Sequence, residues 1–183
     1  MADNYLEKKM EEHRRGTAAR SVARRLTPVG ERRGSVSFKI GELRILVDDA
    51  SSETGRAIVR RLREAGCKVA FSADDERAGR SLAQSSGARF YPSSFGDSVC
   101  GDLVKIWGGV DMLITSGLTQ VDSADVKRVI VVSESSEVAH AADYCINTVC
   151  TKHLTSGEIA HLCLLLCLSE SACLDGVCLG RLI

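Results

Sequence analysis

The chain has 183 residues, enough for one domain with a buried core and too few for two large ones. Hydrophobic residues make up 44% and charged residues 26%, with Lys+Arg and Asp+Glu equal at 24 each, so the overall charge selects no class of partner. The longest apolar run, residues 162–168, excludes a membrane helix, which needs roughly 18–20 apolar residues.

The opening residues, MADNYLEKKMEEHRRG, contain no apolar stretch of a secretory signal. The expectation is a cytoplasmic chain whose eight cysteines stay reduced. No CxxC pair occurs. Cys163, Cys167 and His161 are a conceivable metal set, but a cysteine in an apolar segment is more often a small buried hydrophobe, and no metal is expected.

Residues 1–34 read as a helical extension ahead of a main domain at 35–183. Asp3 or Asn4 can cap a helix carrying Leu6 and Met10, and Thr17 a second one carrying Ala18, Val22 and Leu26. Pro28 and Gly30 then break the pattern. Residues 1–33 hold nine Lys/Arg against five Asp/Glu. Glu7, Glu11 and Glu12 dilute that charge and aromatics are only 4%, so nucleic-acid binding is not expected.

From residue 36 short apolar runs alternate with amphipathic stretches, the pattern of βα units around a parallel sheet. Strands are predicted at 44–47, 68–72, 88–91, 112–115, 129–132, 144–149 and 176–179. Between the first two, a helix presents Ile58, Leu62 and Ala65 to the core and stops at Gly66. Further helices are predicted at 76–84, 98–107 and 158–168. The fold class is therefore α/β, a three-layer Rossmann-like domain with a mostly parallel sheet.

Several phrases then occur in a telling order: FKIGELRILV at 38–47, GRAIVRRLREAG at 55–66, GVDMLI at 109–114, INTV at 146–149, and SGEIA at 156–160 followed by DGV at 175–177. Together they resemble the short-chain dehydrogenase/reductase family, in a degenerate and internally shortened form. The acidic pair at the end of ILVDD (45–49), with Ala142-Asp-Tyr144, is also similar to two-component receiver domains. Receivers need an Asp at the end of a central strand, however, where this chain has Thr115.

The resemblance implies a dinucleotide site in the first βα turn, where glycines let a pyrophosphate approach the helix N-terminus. Here Asp48 and Asp49 replace the family's Thr and first Gly, and Glu53 its second Gly; only Gly55 remains. Three carboxylates are thus expected where a diphosphate would lie. The family's ribose-binding acid falls at Ala73, with Asp74 and Asp75 following, and its adenine-facing Asp falls at Ser94. Its Asn-Asn-Ala-Gly phrase is Thr115-Ser116-Gly117-Leu118, and its later Pro-Gly is Thr151-Lys152.

The implied catalytic group is a Ser, then a Tyr with a Lys four residues on, so that the Lys shares the helix face and lowers the Tyr pKa. Ser133 or Ser135 matches the Ser. Tyr144 is the sole downstream Tyr, but Thr148 stands where the Lys should be, and Lys152 lies eight residues away.

The links between predicted strands four and five, and five and six, are too short for the family's long helices. They are expected to leave Val and Ile on one sheet face bare, each worth roughly 1.5–3 kcal/mol when buried. The 1–26 helices or a second copy of the chain would then have to cover that face.

The functional expectation is a non-catalytic protein that binds no cofactor or metal and acts as a homo-oligomer, most simply a dimer, or as partner to a larger enzyme. The alternative is an NAD(P)-dependent oxidoreductase or nucleotide binder with a reshaped site. In that case Ser51, Ser52, Gly55 and Arg56 would meet the phosphates. A divalent metal on Asp48, Asp49 and Glu53 is a further possibility of the same turn.

Overall fold

A computed structural model describes residues 40–95, 98–117, 126–135 and 145–180. The helices expected at 1–34 lie outside the described residues, as does Tyr144. Along the chain run β1 (Arg44–Val47), α1 (Glu53–Glu64), β2 (Lys68–Ala73), α2 (Glu76–Ser86) and β3 (Arg89–Pro92). A 3-10 turn (Ser93–Phe95), α3 (Ser98–Trp107), β4 (Val110–Thr115) and β5 (Val126–Ser133) follow. Then come β6 (Cys145–Cys150), α4 (Ser156–Leu166), a second 3-10 turn (Ser169–Cys173) and β7 (Cys178–Leu179).

The strands form one sheet in the order β3-β2-β1-β4-β5-β6-β7, every neighbouring pair parallel. Strands covered on both faces read as continuous apolar runs because alternate side chains enter different layers. Ile45, Val47, Val69, Phe71, Met112, Ile114, Ile130 and Val149 join the layer that holds Ile58, Val59 and Leu62 of α1 and Ile159, Cys163 and Leu164 of α4. Leu46, Ala70, Leu113, Val129, Val131 and Ile146 join the opposite layer, with Val99 and Leu103 of α3.

Local chemistry sets the helix ends. Ser52 caps α1, its Oγ accepting from Gly55 N at 3.0 Å, so this helix starts ahead of Gly55. Asp75 caps α2, and Gly87 ends it with φ +70°. Thr155 and Glu158 form a reciprocal capping box at the start of α4.

Two expectations need correction. β5 begins at Val126, three residues early, where Val126 pairs with Val110 of β4. α4 begins at Ser156 and ends at Leu166, and the chain then turns through 169–173 instead of continuing as helix. On the face expected to need a cover, Val129, Val131 and Ile146 are only 1%, 8% and 2% exposed. The 1–26 helices, one of the two covers expected for it, lie outside the described residues.

Candidate functional site

In this strand order, chain connections leave β1 toward β2 on one side while β4 lies on the other. The crevice between the carboxyl ends of β1 and β4 is where open α/β sheets hold ligands. The residues entering it are Asp48 to Arg56 from β1–α1, Ser72 to Asp75 from β2, and Thr115 to Gly117 from β4.

The β1–α1 turn is closed by its own side chains. Asp48 N donates to Ile114 O at 2.7 Å and Ala50 N to Ser72 O at 2.7 Å, so the turn is pinned to both neighbouring strands. Ser72 Oγ accepts from Asp49 N and donates to Asp48 Oδ1, both at 2.9 Å. Thr115 Oγ1, on a residue 2% exposed, lies 3.4 Å from Asp48 Oδ2 and donates to Gly117 O at 2.8 Å. The Asp48 carboxylate thus bridges β2 and β4 across the end of β1. It does not stand free in the phosphate approach as expected.

Asp49 is exposed and has φ +61°, a left-handed conformation that Asp tolerates better than most non-glycine residues. Its Oδ1 accepts from Ser51 N at 3.1 Å. Glu53, also exposed, stands in the first turn of α1, where the helix dipole favours an acid.

The four residues proposed to meet phosphates lie together, but each is engaged within the turn. Ser51 N serves Asp49, and Ser51 Oγ accepts from Asp74 N at 3.1 Å. Ser52 Oγ holds Gly55 N. The Arg56 guanidinium donates to Ser51 O. A Cβ on Gly55 would lie 2.7 Å from Ala50 Cα and 2.8 Å from Asp49 O, so the glycine serves the helix–turn approach.

The other expected contacts are placed as follows. Ala73 is buried at the end of β2, and Asp75 is taken up by α2, accepting from Arg77 N at 2.8 Å and Ala78 N at 3.1 Å. Ser94 is exposed in the 3-10 turn after β3. Ser133 ends β5, its Oγ accepting from Ser135 N at 3.1 Å. Thr148 is 1% exposed inside β6, between strand neighbours Val131 and Cys178, and Lys152 is exposed beyond the strand.

Cys163 is wholly buried, whereas His161 on the same helix is exposed with Nδ1 2.7 Å from Gly157 O, so the conceivable metal set does not converge. Among the described residues no group of three or more His, Cys, Asp or Glu is arranged to hold a metal. No described helix is long and apolar enough to cross a membrane.

Sequence reasoning missed Ser72. The signal was a polar residue inside the otherwise apolar VAFSA of β2, one residue short of the strand's carboxyl end.

No protein-family model and no curated protein sequence matches the chain. Solved structures do. BdcA from E. coli is 19% identical with a TM-score of 0.62, over 79% of this chain and 100% of that one. A short-chain dehydrogenase/reductase from Serratia marcescens is 13% identical with a TM-score of 0.62, over 79% of this chain and 98% of that one. A structure of BdcA in complex with NADPH is 17% identical with a TM-score of 0.59, over 78% of this chain and 93% of that one. These likenesses show that the chain shares the fold of short-chain dehydrogenase/reductase structures.

Proposed function

We propose that this is a non-catalytic short-chain-dehydrogenase-like protein that acts by association, as a homo-oligomer or as the partner of a larger enzyme. The observation that carries the reading is Thr148. It occupies the position where a Lys would have to follow Tyr144, and it is buried among strand neighbours in β6. No ammonium group can act from there on a phenol. Lys152, the next cation, is exposed beyond the strand. Among the described residues a seven-stranded sheet nonetheless stands between two core layers, which fits a chain whose surface, not its crevice, does the work.

The second reading, an NAD(P)-dependent oxidoreductase, has one observation in its favour: BdcA, a structure of the same fold, binds NADPH. Two measurements test the proposal. Incubation with NADH or NADPH and a panel of aldehydes and ketones should give no cofactor oxidation above the blank. Light scattering should give a mass above the 19.7 kDa of one chain, alone or with a co-purified partner. Cofactor turnover, or a monomer that co-purifies with nothing, overturns the reading.

A further inference from the structure

We infer that the β1–α1 turn excludes the diphosphate of a dinucleotide, and that Asp49 is the residue that closes it. The inference deepens the non-catalytic reading, since it names the ligand class that the crevice refuses. A diphosphate at a helix N-terminus needs free backbone N–H groups and an unobstructed approach. Here Ser51 N already donates to an anion, the Asp49 carboxylate, 3.1 Å away. Gly55 N is held by Ser52 Oγ at 3.0 Å, and the Arg56 guanidinium is turned back onto Ser51 O. An incoming diphosphate would have to displace Asp49 and then lie against it and Glu53. Like charges brought together in this way repel, and more strongly as water is excluded.

Asp48 is not the gate. Its carboxylate faces inward onto Ser72 and Thr115, away from the ligand approach. Asp49 is exposed and sits at φ +61°, so glycine at this position relieves backbone strain and leaves the fold intact.

Calorimetric titration with NADPH and with inorganic pyrophosphate tests this on three proteins. The full-length wild type should bind neither ligand at millimolar concentration, and Asp49→Asn, which loses the charge but keeps an acceptor on Ser51 N, should bind more weakly than Asp49→Gly. Asp49→Gly should bind at least ten-fold more tightly than the wild type, with unchanged circular dichroism. Wild-type binding without turnover overturns the inference and spares the non-catalytic reading. An Asp49→Gly variant that folds and still binds nothing overturns Asp49 as the gate. Turnover by the wild type sinks both.

Discussion

Gly55 has no room for a methyl group. Its Cβ would lie 2.7 Å and 2.8 Å from backbone atoms of Ala50 and Asp49, two residues whose N–H groups are both bonded to Ser72 of β2. Gly55→Ala should therefore destabilise the protein by ~1–3 kcal/mol, the usual cost of overpacking. At this chain length that lowers Tm by roughly 2–4 °C per kcal/mol, readable by thermal denaturation. An unchanged Tm would mean that the turn moves freely. The same residue shows how far a motif can be read. Gly55 was legible as the surviving glycine of a dinucleotide turn, but the sequence could not say that it is kept for helix packing, because the close contact is to residues five and six positions earlier.

Between elements, Arg44 and Asp111 join the amino ends of β1 and β4. Arg44 Nε donates to Asp111 Oδ2 at 2.9 Å and an Arg44 terminal nitrogen to Oδ1 at 2.6 Å, while the other reaches Trp107 O at 3.0 Å. The Asp111 carboxyl is held below the usual carboxylate range, chiefly by its hydrogen bonds from the Arg44 guanidinium, against partial desolvation. A depressed folded pKa contributes stability in full above the unfolded value of about 3.9, and loses it as pH falls through the folded value. Asp111→Asn should thus cost ~1–2 kcal/mol at neutral pH, given that a quarter of each side chain is exposed. Its stability should also fall less steeply than that of the wild type below pH ~4. Urea unfolding at several pH values reads both; parallel pH profiles would refute the role. Sequence spacing hides this pair, which is 67 residues apart.

At the scale of the whole molecule, the sulfur atoms report on the core. Cys67 and Cys163 are wholly buried, and Cys167 Sγ lies 3.3 Å from Met112 Sδ, joining α4 to the centre of the sheet. Burial pushes the Cys67 thiol up to about 11 and the Cys163 thiol up to about 12, and raises Cys167 as well. Alkylation needs thiolate and access. Labelling at pH ~8, mapped by mass spectrometry, should therefore modify exposed Cys173 first and reach Cys67, Cys163 and Cys167 only with global unfolding. Early modification of Cys163 would show that α4 opens on its own.

The sequence by itself determined the alternation of strands and helices from β1 onward and hence a parallel α/β sheet, because each element had to bury a face and its apolar period shows which. It also determined the loss of the Tyr–Lys spacing, which is local. Only the tertiary structure decided what the acidic turn does. Whether Asp48 repels a ligand or braces the sheet depends on Ser72 and Thr115, 24 and 67 residues away, brought to the end of β1 by strand order. The same holds for the sheet face that looked bare: burial of Val129 and Ile146 depends on packing across the chain, and neither periodicity nor link length records it.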